Sequence, residues 1–302
     1  MSQPGIVYRP PYEANSLLVQ VTTGCSHNKC SFCSMYAGVP FSVCPMEQVE
    51  ADLDAAARRF PSVRRVFLEN GDPFVLSSDR LLQIADAIHR RLPKVETIAM
   101  YASIQNIRSK SDDDLRRLRE HGINELNIGT ESGLDAALSQ MNKGHTAEEA
   151  ACQVLRLKAA GFDYALNIIL GGAGPALRKE NAKANAALLN ATQPFLVFLG
   201  SLHAEPGCRL FQEIRSGACR ESTFGELLDE EEALLGQLKL ENTFLLSNHP
   251  SNVVPIQGLL PRDTDALLRE IREARFELQD RLDQIPVRGS EGMILNGLMT
   301  YQ

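Results

Sequence analysis

The sequence predicts an α/β protein, a partial (β/α)6 TIM-like barrel with a helical C-terminal extension, and two observations carry that prediction. Short apolar runs alternate with longer segments of helical period from Ser16 onward, and after Leu199 the alternation gives way to helix and loop. Strands are predicted over residues 17–21, 63–68, 97–101, 125–128, 164–170 and 195–199. Helices are predicted between them over 46–59, 78–91, 111–121, 146–160 and 177–190. Six βα units suit an open barrel better than the eight of a closed one, and chemistry is expected at the C-terminal ends of the strands.

Capping chemistry supports these boundaries. Ser111 precedes Asp112, Asp113 and Asp114, which places carboxylates at the positive end of a helix that runs out at Gly122. Thr146 with Glu149 reads as a capping box. Beyond the last strand, 225–240 reads as helix, 247–261 as loop and 263–284 as a charged amphipathic helix. Residues 1–210 are therefore expected to form the core, with 211–302 a helical extension packed on it. There is no tandem repeat and no clear linker.

The composition is that of an ordinary globular protein: 302 residues, 44% hydrophobic and 23% charged, enough to bury a large core. A net charge of -7 provides no basic field to neutralise a phosphate backbone, which argues against nucleic acid as a partner. The opening residues lack the layout of a signal peptide, and no apolar run approaches the roughly 18 residues of a membrane span. The expectation is a cytoplasmic protein without a membrane partner.

Three of the seven cysteines, Cys25, Cys30 and Cys33, fall within nine residues directly after the first strand, whereas Cys44, Cys152, Cys208 and Cys219 are scattered. That clustering asks for a metal or a cluster rather than a disulfide framework. Three thiolates in a tight loop suit an iron-sulfur cluster with one iron left open. A tetrahedral zinc site built by Cys25, His27, Cys30 and Cys33 is the alternative on these residues.

The loop resembles the cluster loop of the radical S-adenosylmethionine (SAM) superfamily, with the aromatic Phe32 just before its last cysteine, although four residues rather than the commoner three separate Cys25 from Cys30. Glu69-Asn70-Gly71-Asp72-Pro73, after the second strand, is similar to the family's Gly-Gly-Glu-Pro segment, whose backbone binds the methionine amino group of SAM. After the fourth strand, Glu131-Ser132-Gly133 and Met141-Asn142-Lys143-Gly144-His145 resemble the subgroup of oxygen-independent coproporphyrinogen oxidases, elongator-type enzymes and methylthiotransferases. The resemblance covers roughly residues 16–210. It implies a 4Fe-4S cluster on the three cysteines and SAM as second cofactor. Glu131 and Lys143 would hold the amino-acid end, Asn167 would face the ribose, and Gly171-Gly172 would lie on the adenine side. It further implies a 5'-deoxyadenosyl radical that abstracts hydrogen from a substrate, and a one-electron reductant such as flavodoxin or ferredoxin.

Net charge and the lack of an added RNA-binding module favour a small organic substrate over RNA or another macromolecule. Asn70, Gly71, Asp72, Ser103, Glu131, Ser132, Lys143 and Asn167 are thus the candidate cofactor contacts. His203, Tyr101 and Cys208 are the candidate catalytic groups, His249 is a further candidate substrate ligand, and Cys219 shares with Cys208 the candidate role of hydrogen-atom donor. Each has a plainer reading: Asp72 and Glu131 as strand-end caps, Lys143 as a solvated turn residue, the lone cysteines as packing.

Overall fold

The computed structural model describes residues 8–278 and Leu282. Ten strands run in chain order: β1 (Leu17–Gln20), β2 (Thr22–Thr23), β3 (Ser42–Val43), β4 (Arg65–Glu69), β5 (Thr97–Ala102), β6 (Ile123–Glu131), β7 (Asp163–Leu170), β8 (Leu196–Ser201), β9 (Thr243–Ser247) and β10 (Ile256–Leu260). The helices are α1 (Met46–Arg59), α2 (Ser78–Arg91), α3 (Ile104–Arg108), α4 (Asp112–Glu120), α5 (Asp135–Gln140), α6 (Ala147–Ala159), α7 (Arg178–Thr192), α8 (Arg209–Arg215), α9 (Phe224–Leu235) and α10 (Thr264–Leu278).

The described chain divides into two compact units that do not follow sequence order: 8–28, 38–129 and 152–164 form one, and 29–37, 130–151 and 165–278 with Leu282 form the other. In the first, β1, β4, β5 and β6 lie side by side and parallel, with Leu17 opposite Val66, Val66 opposite Ile98 and Met100 opposite Leu126. Val66, Phe67 and Leu68 are all buried. Consecutive apolar residues are what a parallel strand covered on both faces requires. β2 and β3 form a small antiparallel pair, Thr22 opposite Val43, just before and after the cysteine loop. In the second unit β7 and β8 are parallel, and β9 extends that order, parallel to β8 with Leu196 opposite Phe244.

The six predicted strands are all present and the structure is α/β with an open parallel sheet. The C-terminal region departs from the helix-and-loop expectation. Residues 247–261, read as loop, supply most of an antiparallel pair in which Ser247 faces Ile256 and Thr243 faces Leu260. The runs are only five residues each and a polar, turn-rich segment separates them, so neither shows a sustained period. α9 ends at Leu235 rather than near 240, and the predicted helix beyond Leu278 lies outside the described residues apart from Leu282.

The predicted caps form. Ser111 and Asp114 exchange backbone N–H bonds at 3.0 and 3.2 Å, and Thr146 and Glu149 do the same at 2.9 and 3.2 Å. Among the described residues no helix is long and apolar enough to cross a membrane.

Candidate functional site

In the first unit the β4 loop grips the start of the cysteine loop. The Gly71 N–H donates to the Gly24 carbonyl at 3.0 Å, and a Cβ on Gly71 would stand 2.6 Å from the Cys25 Cβ. Only glycine permits that approach, because a real contact at this distance does not occur. Asn70 before it is buried and takes the left-handed φ of 87°. Asp72 then receives two bonds from Ser26, from its N–H at 3.0 Å and its hydroxyl at 2.5 Å. Burial raises the Asp72 carboxyl, while the Ser26 bonds and a further bond from Asn106 oppose the rise. The residue aligned with the family's glutamate therefore spends its carboxylate on positioning the residue after Cys25.

Two residues that sequence reasoning passed over hold this arrangement. Asn106 belongs to the capping box of α3, in which its N–H donates to the Ser103 hydroxyl at 3.2 Å and its own side chain accepts from the Ser103 N–H at 2.9 Å. The Ser103 hydroxyl is thereby a helix cap. Lys110 is buried, donates to the Phe74 and Leu76 carbonyls at 2.7 and 3.0 Å, and lies 4.4 Å from the centre of the Phe74 ring. Burial lowers its ammonium to about 8. Tyr101 meets Phe67 edge to face with ring centres 5.2 Å apart. Another polar cluster was also not foreseen: the fully buried Glu13 and the partly buried Glu125 both pair with Arg65, and Asn127 donates to Tyr12.

In the second unit the rest of the cysteine loop is tied to the β6–α6 connection. Ser31 donates from its N–H to the Met141 carbonyl at 3.0 Å and from its hydroxyl to the Gln140 carbonyl at 2.7 Å. Asn142 donates to the Lys29 carbonyl at 2.7 Å, and Ser34 to Glu205 at 3.0 Å. Phe32 packs against two apolar clusters, one of Ala137, Met141 and Ala173, the other of Ala204, Cys208 and Leu210.

Glu131 sits at the end of β6 with φ 65°, a left-handed conformation that costs a non-glycine residue on the order of 1–3 kcal/mol. Its carboxylate meets the Lys143 ammonium at 3.1 Å, and both side chains are nearly buried, 12% and 11% exposed. Burial pulls the Lys143 ammonium down, but Glu131, the Cys30 and Cys33 thiols and the bond to Glu131 outweigh it and hold Lys143 well above its ordinary value. Lys143 therefore remains a cation under the electrostatic influence of two of the three clustered thiols. Thr130 donates to the backbone carbonyl of Asn167 at 2.8 Å, and the side-chain Oδ1 of Asn167 is buried without a hydrogen-bond partner.

The remaining predicted residues fall into plainer roles. The Ser132 hydroxyl donates to Asn181 at 2.5 Å and accepts from the Leu134 N–H at 2.9 Å, so it is spent within the protein. Cys208, read as a candidate hydrogen-atom donor, is buried and caps α8, its sulfur accepting from the Phe211 N–H at 3.4 Å. His203 is partly buried, with its Nδ1 3.6 Å from Glu221, which also accepts from the Ala204 N–H at 2.6 Å. The His249 ring accepts or donates at 2.6 Å to Ser251; burial lowers its imidazole and Glu205 opposes that.

The three clustered cysteines are unbridged, the donor chemistry an iron-sulfur cluster takes; in the second unit, the cation Lys143 and the orphaned amide oxygen of Asn167 suit a polar organic ligand. Among the described residues no three of His, Cys, Asp and Glu gather closely enough to hold a single metal ion; a four-iron cube spreads its thiolates further apart than one ion does.

A family model of the radical SAM superfamily matches residues 19–179. The chain is 25% identical over 158 residues to the heme chaperone HemW of Bacillus subtilis (strain 168), a match covering 52% of this chain and 41% of that one. The chain thus spans about two fifths of that relative's length. Two solved structures share the fold. Methylornithine synthase (PylB) is 14% identical with a TM-score of 0.53, covering 85% of this chain and 81% of its own. The radical SAM methyltransferase TsrM from Kitasatospora setae, solved with cobalamin and a 4Fe-4S cluster, is 17% identical with a TM-score of 0.53, covering 67% and 39%.

Proposed function

The chain belongs to the radical SAM superfamily, and from that premise we propose that it cleaves SAM reductively at a 4Fe-4S cluster on Cys25, Cys30 and Cys33 and directs the product radical at a small organic substrate. The observation that carries this reading is the nearly buried Glu131–Lys143 pair, 3.1 Å apart, with the Lys143 ammonium under the influence of Cys30 and Cys33.

When bound, the cluster supplies one electron to SAM, whose sulfur–carbon bond breaks to leave methionine and a 5'-deoxyadenosyl radical. The protein's part is to hold and orient. Lys143 offers the cation for a methionine carboxylate and Glu131 the anion for its ammonium, an arrangement strengthened by their shielding from water. The Asn167 Oδ1 is a ready acceptor for a ribose hydroxyl. Gly71 and Asp72 keep Cys25 and Ser26 in place rather than contacting the ligand through the carboxylate. His203 and His249 supply proton-transfer groups for the substrate. The electron comes from a small one-electron carrier such as flavodoxin or ferredoxin.

The test is to reconstitute the protein without oxygen, reduce it with dithionite in the presence of SAM and quantify 5'-deoxyadenosine. Formation by the wild type and not by Cys30→Ala supports the reading. A fully loaded protein that binds no SAM, or one that assembles no cluster and carries zinc, sinks it.

A further inference from the structure

α9 lies outside the residues matched by the family model, yet it carries a carboxylate that reaches two of the connections assigned to SAM. Glu230 is fully buried. Its Oε2 accepts from the Gly171 N–H at 3.0 Å, in the loop after β7, and its Oε1 accepts from the Asn181 side-chain NH2 at 2.6 Å. Asn181 in turn presents its oxygen to the Ser132 hydroxyl at 2.5 Å, and that hydroxyl accepts from the Leu134 N–H at 2.9 Å. One turn along α7, Asn185 accepts from the Gly133 N–H at 2.6 Å. A Cβ on Gly133 would stand 2.4 Å from the Ala184 carbonyl oxygen, so the connection after β6 lies directly on that helix.

With Glu230 ionised, the direction of every bond in this chain follows from its one acceptor-only member. A carboxylate accepts on both oxygens, so Asn181 must turn its NH2 toward Glu230 and its oxygen toward Ser132. Ser132 must then donate to Asn181, which leaves its lone pairs for the Leu134 N–H. A buried network of this kind is stable only when every member is satisfied, and a reversed amide is transmitted to the next partner.

We propose that Glu230 is a positioning residue that locks the Glu131–Gly133 connection and the Gly171–Gly172 loop in one arrangement and thereby sets the affinity for SAM. This rests on the reading of Glu131 and Lys143 given above. The amide–carboxylate exchange tests it. In Glu230→Gln the side chain keeps its size and still accepts from Gly171, but its new NH2 faces the NH2 of Asn181. Adding Asn181→Asp restores the polarity, because the amide introduced on α9 then donates to a carboxylate whose second oxygen accepts from Ser132.

The dissociation constant for SAM is measured by anaerobic equilibrium dialysis on cluster-loaded full-length protein, alongside iron content and thermal midpoint. The expected result is an approximately tenfold weaker affinity in Glu230→Gln, equivalent to about 1.4 kcal/mol, with iron content unchanged and most of the affinity recovered in the double exchange. Ser132→Ala, which removes the far end of the chain without touching Glu230, is expected to weaken SAM binding in the same direction and provides the reading if the glutamine variant does not fold. Unchanged affinity in these variants, or a double exchange that restores the thermal midpoint and not the affinity, overturns the proposal while leaving the function above intact. A cluster-loaded wild type that binds no SAM overturns both.

Discussion

The first compact unit holds Cys25 by steric fit and hydrogen bonds, whereas the second holds the surroundings of Cys30 and Cys33 by backbone pairing and an ion pair. Gly71 presses on Cys25 and Asp72 fastens Ser26; in the other unit Asn142 and Ser31 fasten the loop and Lys143 faces its thiols. The difference teaches that the two halves of one cysteine loop serve separable ends. Under the proposed function, geometry at Cys25 would govern whether a cluster assembles and charge beside Cys30 and Cys33 what binds to it.

The largest expected effect separates these ends. Lys143→Met leaves Glu131 buried without its cation, a loss on the order of 3–5 kcal/mol; SAM binding should fall at least a hundredfold while iron and sulfide content stay near wild type. Gly71→Ala should do the reverse. Its methyl group would overlap Cys25 at about 1–3 kcal/mol, so cluster content after reconstitution should drop first. If Lys143→Met loses the cluster as readily as Gly71→Ala, the distinction between the two units fails.

Stability against pH sharpens the same comparison with opposite signs. In the second unit, burial raises Glu230 and Glu231 from 4.5 to about 7, with only the bonds from Asn181, Gly171 and Ser247 and the charge of Arg178 opposing. The folded state holds these protons more tightly than the unfolded one, so stability should decline as pH rises from about 4.5 to 7, on the order of 3 kcal/mol per group. In the first unit, burial lowers Lys110 from 10.5 to about 8. There the unfolded state holds the proton more tightly, and stability should rise between about 8 and 10.5. Denaturant titrations across both windows check the signs. Glu231→Gln should flatten the acid-side slope and Lys110→Met the alkaline one; a slope unchanged in either variant assigns the pH dependence elsewhere.

The smallest effect is expected at Cys208. Serine is a good helix cap, so Cys208→Ser should change the thermal midpoint by a few degrees at most and leave 5'-deoxyadenosine formation and substrate turnover at wild-type levels. A loss of turnover with normal SAM cleavage would restore this thiol as a hydrogen-atom donor.

Much of this was legible in residue order alone. The six strands, the caps at Ser111 and Thr146, the cysteine loop, Gly71 and the Glu131–Lys143 spacing are all carried by local period, turn chemistry or a short motif. Two of the candidate contacts have partners that no local pattern could have given. Asp72 and Ser132 sit in motifs that aligned them with ligand contacts, yet their partners, Ser26 and Asn181, lie 46 and 49 positions away. No local pattern reports where such a partner will be.

What the amino-acid sequence determined by itself was therefore the α/β repeat and the grouping of three thiols in one short loop, because hydrophobic period and motif spacing act over a few residues. Tertiary structure alone decided that 243–260 would pair as β9 and β10, that Lys110 would hold the β4 loop, and that Glu230, 59 residues from Gly171, would reach back to it. Those outcomes depend on which buried polar groups meet when the chain packs. A buried carboxylate or ammonium must find partners wherever the fold brings them.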